Sequence, residues 1–238
     1  MQKILTLFTF FLFLIITASA QTTESIIAQH IAAVGGESKW ASIKSLMIES
    51  NLESGGIAIN KKTYLVYGKN YRCNMLYSGR AYPEKQTNYF ILAQPKKGWK
   101  YTPDNINDKV VLMDSIESKA FIYTSDIDDP LVNYKTKGIT VQFLTTEFFN
   151  ELLYLKLLLK YPNGNQEYCY IDPTNYLIYL RVPLQTESEL KYTYLEYYTH
   201  SSGIKLPRKI ESSEGITIIK LVEINPIIPP SIFTAPKM

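Results

Sequence analysis

The sequence predicts an α+β fold: an open, strongly curved antiparallel β half-barrel of about 10–11 strands with helices covering its concave face. Three observations carry this expectation. Apolar and polar residues alternate through most of the chain, the period-2 mark of half-buried strands. Turn residues punctuate these runs at short intervals. Helical periodicity is confined to a few short stretches. Many strands with one apolar face each, and no second sheet in the pattern, have to twist and curl around their helices.

The chain opens with Lys3, and the run from Ile4 to Ile16 is apolar apart from Thr6 and Thr9. Ala18-Ser19-Ala20 then gives an A-x-A cleavage site before Gln21. Residues 1–20 are therefore expected to be a signal peptide cleaved after Ala20, leaving 21–238 as a single exported domain. As a helix the apolar run reaches roughly 20 Å, short of a ~30 Å hydrocarbon core. No second run is long enough to act as a transmembrane anchor, and no cysteine follows the cleavage site to accept a lipid. Loss of Lys3 lowers the formal charge from +3 to +2. Signs are interspersed, so a nucleic-acid partner has no electrostatic basis.

Thr22 or Thr23 caps a first helix with Glu24 in its first turn. Ile26, Ile27, His30, Ile31 and Val34 form its apolar stripe, Gly35-Gly36 stops it, and Trp40 packs it onto the sheet. Residues 43–53 set Leu46, Ile48 and Leu52 against Ser45, Glu49 and Asn51. Strands 57–67 and 71–77 follow, the second placing Tyr71, Cys73, Met75 and Tyr77 on one face. Residues 86–93 and then Trp99-Lys100-Tyr101 complete the first strand set.

The period changes after Pro103. Leu112, Met113, Ile116 and Ala120 lie at helical offsets within 104–123, and a shorter helix is expected over 129–137, ended by Gly138. Strands resume at 140–145. The clearest meander comes next: Leu153, Leu155, Leu157, Leu159 and Tyr161 share a face, with Lys156 and Lys160 opposite. Pro162-Asn163-Gly164-Asn165 reverses the chain, because Asn-Gly tolerates φ > 0. Tyr168, Tyr170 and Ile171 follow, then the turn Asp172-Pro173-Thr174-Asn175, then Tyr176, Ile178, Leu180 and Val182 on one side. Strands 190–198, 204–211 and 216–224 finish the sheet before Pro226, Pro229 and Pro230.

A helix is only about 10 Å across, so two or three short ones leave part of a curved apolar face bare. Bare apolar surface of that kind marks ligand or partner sites. The expected lining of an apolar cavity is Met75, Tyr77, Trp99, Leu112, Met113, Ile116, Leu155, Leu157, Leu159, Tyr170, Ile178, Leu180, Tyr192, Tyr194 and Ile218. Tyrosine suits it, with an apolar ring and a hydroxyl for a head group or ester carbonyl. The alternative is full closure, with every one of these residues ordinary core.

Six segments in order, IIAQHIAAVGGESKWASIKSL, GWKYTPDN, DPLVNYKTKGITV, YCYIDPTNYLIYLR, EYYTHSSGIKLPRKI and KLVEINPIIPPSIFTAP, span essentially all of 21–238. Together they resemble the outer-membrane lipoprotein-sorting, LolA-like proteins of Bacteroidetes-type bacteria. The resemblance implies a half-barrel enclosing an apolar cavity for lipid or lipoprotein acyl chains. It also implies a periplasmic carrier role toward the outer membrane; a monomer with envelope transport partners and transient membrane contact is expected. Two departures stand out. Asn150-Glu151-Leu152-Leu153 replaces the family's usual polar, Gly-containing turn. No single basic residue among Arg72, Arg80, Arg181 and Arg208 stands out as the family's lid latch.

Catalytic patterns are missing. His30 lies on the helix stripe and reads as structural, and His200 sits in a Ser/Gly turn. Asp104, Asp108, Asp126, Asp128 and Asp129 lack the Gly and final Glu of a calcium loop. No G-x-S-x-G, H-E-x-x-H or P-loop occurs. The expectation is a non-enzyme without cofactor or metal. Cys73 and Cys169 read as two small buried hydrophobes, with a disulfide as the alternative. The competing function is an envelope interaction module that reads protein or peptide segments.

Overall fold

The computed structural model describes residues 21–79, 88–101, 109–123, 127–149, 151–184 and 191–235. The expected signal peptide lies outside them, as do Arg80, Asp104, Asp108, Asp126 and Asn150. Among the described residues no helix is long and apolar enough to cross a membrane.

Helix α1, Thr23–Ala33, starts at Thr22, whose hydroxyl accepts from the Ser25 amide while the Ser25 hydroxyl accepts from the Thr22 amide. This reciprocal cap satisfies two donors that a helix start otherwise strands. Val34 closes the helix, and Gly35 follows at φ +109°, where an added Cβ would meet the Gly203 carbonyl oxygen at 2.5 Å. Helix α2, Glu37–Ala41, buries Trp40, whose indole N–H donates to the Val34 carbonyl.

Six strands then run as a meander: β1 Ser45–Ser54, β2 Ile57–Val66, β3 Asn70–Gly79, β4 Asn88–Ala93, β5 Gly98–Tyr101 and β6 Val111–Met113. Helix α3, Ser115–Ile122, follows, capped by Asp114. Seven more strands complete the sheet: β7 Thr140–Phe149, β8 Leu152–Lys160, β9 Gln166–Ile171, β10 Ile178–Pro183, β11 Tyr192–Thr199, β12 Lys205–Ser212 and β13 Gly215–Ile224. All thirteen form one antiparallel sheet in the order β6-β5-β4-β3-β2-β1-β13-β12-β11-β10-β9-β8-β7. Strands adjacent in the sheet are adjacent in the chain except at one seam, where β1 pairs with β13. Bulges at Glu49/Ser50, Phe143/Thr145, Ile178/Leu180 and Tyr194/Glu196 add local twist.

The expected open, curved antiparallel sheet with few helices is the observed architecture. The expected count of about 10–11 strands falls short of the thirteen among the described residues. One reason is that Val111–Met113, read as helical, pairs with β5. The helix begins only at Ser115, because Asp114 Oδ1 accepts from the Ile116 and Glu117 amides. The helix expected over 129–137 is instead a run of turns, with Asn133 at φ +53°. A non-glycine residue in that region is incompatible with a continuing α-helix.

The two sides of the sheet pack differently. On the concave side one cluster joins Val34, Trp40, Leu46, Ile48, Leu65, Cys73, Met113, Ile122, Leu206 and Val222. A second joins Ile26 of α1 and Leu131 to Leu155, Leu157, Leu159, Cys169, Ile171 and Ile178. On the convex side Phe233, in the 3-10 turn Pro230–Phe233, covers Leu92 and Trp99. The turn after the three prolines therefore tucks back against the outer side of the sheet.

Candidate functional site

Helix α1 turns Ile26, Ile27 and His30 inward over the end of the sheet that contains β7, β8 and β9. Its first turn is tied to the outermost strand by the Phe143 amide, which donates to Thr23 Oγ1 at 2.9 Å. Beneath the helix Leu155, Leu157 and Leu159 lie on one face of β8, as the alternation requires, and all three are sealed from water. Helix α3 is pinned differently. Its Ser118 hydroxyl donates to the Gln94 and Lys97 carbonyls and accepts from the Gln94 amide.

A polar seam crosses this apolar floor. His30 places Nδ1 2.7 Å from the Tyr176 carbonyl and Nε2 2.8 Å from Asp129 Oδ2. Burial alone would press the His30 pKa down, but the Asp129 charge and both hydrogen bonds carry it above 6.5. Burial would likewise raise Asp129; His30, Lys137 and the Leu131 amide hold it below 3.8. Asp128 stays raised by burial in spite of its 3.3 Å pair with Lys137. Further along, Arg181 grips Glu167 through Nε and Nη2, both at 3.0 Å, and donates to Tyr194 at 3.2 Å and Tyr161 at 3.3 Å. Tyr161 donates its own hydroxyl to Glu167. The floor that the pattern predicts to be lined by apolar and tyrosine side chains thus carries two buried ion pairs.

Beyond the seam the concave side becomes a half-buried trough. Tyr192 and Tyr194 point into it from β11 and Tyr77 from β3, with Lys61 of β2 beside Met75. The Tyr192 hydroxyl pKa is raised by burial and then by Glu214, while Arg181 and Lys61 pull it down. The charges of Lys61 and Arg181 therefore reach one tyrosine from opposite halves of the sheet.

Nine of the expected lining residues share the concave side: Met75, Tyr77, Met113, Leu155, Leu157, Leu159, Ile178, Tyr192 and Tyr194. The other six do not join them. Trp99 packs outward with Leu92 and Phe233. Leu112 pairs with Trp99 on that same outer side and is 60% exposed. Ile116, 81% exposed, lies on the outer face of α3. Tyr170 and Leu180 form a convex cluster with Tyr154. Ile218 pairs with Asn51, on the side opposite Ile219. For Leu180 the cause is the bulge after Ile178, which reverses the alternation and turns Arg181 inward. A depression of about 270 Å³ on the sheet, walled by the Glu49–Lys62 ion pair, touches only Met75 of the fifteen.

None of the described arginines bonds α1, α2 or α3. Arg72 bonds Asn74 and the Ile232 carbonyl, Arg181 bonds sheet residues, and Arg208 lies over the Tyr198 ring. The buried ionic tie between α1 and the rest is His30, which sequence reasoning filed as structural. Its one signal was a titratable side chain inside an otherwise apolar stripe.

No protein-family model matches the sequence, and no curated protein matches it. Solved structures do match. A LolA superfamily protein from Nitrosomonas europaea aligns with TM-score 0.55 and 12% identity over 91% of this chain and 99% of that one. The fold is LolA-like. A protein from Vibrio parahaemolyticus described as an outer membrane lipoprotein-sorting protein domain aligns at 0.53 and 13%, over 89% and 95%. A DUF1329 family protein from Desulfovibrio piger aligns at 0.56 and 12%, over 90% and 98%.

Proposed function

We propose that this LolA-like protein is a non-enzymatic periplasmic carrier of the Bacteroidetes lipoprotein-sorting type. In this reading it holds lipid or lipoprotein acyl chains against its concave face for transfer toward the outer membrane. The observation that carries the proposal is the division of that face into a sealed and an open part. A leucine stripe lies under one amphipathic helix tied by a buried ion pair, and the half-buried Tyr77, Tyr192 and Tyr194 lie across the polar seam from it. With α1 in place the stripe has no room for a chain; lifting α1 exposes Leu155, Leu157 and Leu159, with the Arg181–Glu167 pair standing between them and the trough. The fold shared with a LolA superfamily protein and a lipoprotein-sorting domain supports this reading.

Native mass spectrometry of protein purified from a bacterial envelope, paired with uptake of a fluorescent fatty-acyl probe, tests it. Lipid masses on the native protein are expected. Tyr77→Asp and Tyr192→Asp, both at half-buried sites, should lower probe uptake about tenfold while folding normally. Normal uptake by both folded variants removes the trough from the reading. A lipid-free protein that retains peptides favours the interaction module.

A further inference from the structure

The β7–β8 hairpin runs past the rest of the sheet and ends in apolar side chains on both faces. Its last rung shared with β9 pairs Leu155 with Ile171. Beyond it the two strands continue through Glu147 with Tyr154, Phe148 with Leu153 and Phe149 with Leu152. Paired residues project to one side and successive residues to opposite sides. Phe148 and Leu153 therefore stand on one face, and Leu152 with half-buried Phe149 on the other. Phe148 is 75% exposed, Leu152 60% and Leu153 39%.

A protein groove covers one side of such a ribbon and leaves the other in water; a lipid interface surrounds it. The chemistry behind the tip agrees. Lys156 holds its ammonium 4.1 Å from the centre of the Tyr168 ring and pairs with Glu147 at 2.7 Å, and half-buried Tyr179 stacks on Tyr154. Lys156 lies three residues behind Leu153, about 10 Å along the strand. Leucine and phenylalanine first, then tyrosine and lysine, matches the change from hydrocarbon edge to head groups. Glu151, exposed at the tip, keeps the ribbon at head-group depth and opposes a strongly anionic surface. We infer that the β7–β8 hairpin tip docks this protein shallowly on a lipid bilayer of low negative charge. The inference rests on the carrier reading only for its purpose, and the two fail separately, because probe uptake needs no vesicle.

The test is co-flotation of the purified protein with phosphatidylethanolamine–phosphatidylcholine vesicles. The double variant Phe148→Ser/Leu152→Ser should lower the bound fraction about tenfold. Ile227→Ser, altering a residue 98% exposed elsewhere, should leave it unchanged. Phe148→Trp should give an emission blue shift on vesicle addition, against the buried background of Trp40 and Trp99. Undiminished flotation of the double variant, equal loss with Ile227→Ser, or no emission shift overturns the inference. So does a wild-type dimer that the double variant disperses, which makes a second copy of the chain the occupant.

Discussion

The His30 ring and the Asp129 carboxylate meet at 2.8 Å while the other ring nitrogen faces the Tyr176 carbonyl, so both nitrogens point at acceptors. A neutral imidazole donates only one such bond. Below its raised pKa the ring is therefore an imidazolium, buried on the inner face of α1 and balanced by one carboxylate.

A pH dependence follows. His30, raised, contributes stability that is complete below 6.5 and lost as pH rises through its folded pKa. Asp129, lowered, contributes stability that is complete above 3.8 and lost as pH falls through its folded pKa. The pair is thus fully effective between those values and fades on either side. Asp128, raised, acts in the opposite sense to Asp129: the cost of its buried charge sets in as pH rises above 3.8 and is complete above its folded pKa. Lys137 faces both aspartates, and Cys169 and Tyr197 face Asp129. Urea unfolding of the wild type should show lower stability at pH 8.5 than at pH 6. His30→Gln should cost about 3 kcal/mol at pH 6 and flatten that difference.

The Arg181–Glu167 pair is expected to be destabilising to break and cheap to replace. Glu167→Leu alone strands a buried guanidinium and should cost about 3–5 kcal/mol. Glu167→Leu with Arg181→Leu should recover most of that loss, and a double-mutant cycle by chemical denaturation measures the coupling.

Leu157→Ala should cost about 2–5 kcal/mol, because the site is closed by α1 and its neighbours and cannot collapse freely. Leu221→Ala, at an exposed position of β13, should change stability by less than about 0.5 kcal/mol. Midpoints from thermal unfolding by circular dichroism separate the two.

Cys73 and Cys169 form no disulfide with each other and are buried in different clusters. A thiol reagent should label neither in the native protein and both after denaturation, under oxidising conditions as well. Burial raises the Cys169 pKa, which further slows its reaction.

The alternating stripes made the concave side readable wherever strands run straight. Leu155, Leu157 and Leu159 were placed correctly because period 2 fixes the face. Leu180 was misplaced because a bulge inserts one residue without any mark in composition. Leu112 and Ile116 satisfied a helical offset that a three-residue strand and a cap interrupt at Asp114. The ion pairs were hidden for another reason. Arg181 and Glu167 become neighbours only through the register of β9 with β10, and His30 finds Asp129 across 99 residues. Local periodicity carries no information about such long-range partners.

The seam between β1 and β13 joins Leu46 to Ile224, nearly the two ends of the described chain. Until the last strand has been synthesised, the two meanders have no edge in common. A nascent or truncated chain therefore holds two separate half-sheets, each with a raw border at what should become the middle. Completion of the sheet waits for β13, so the polypeptide remains unfinished, and open to threading or proteolysis, until that strand has been made.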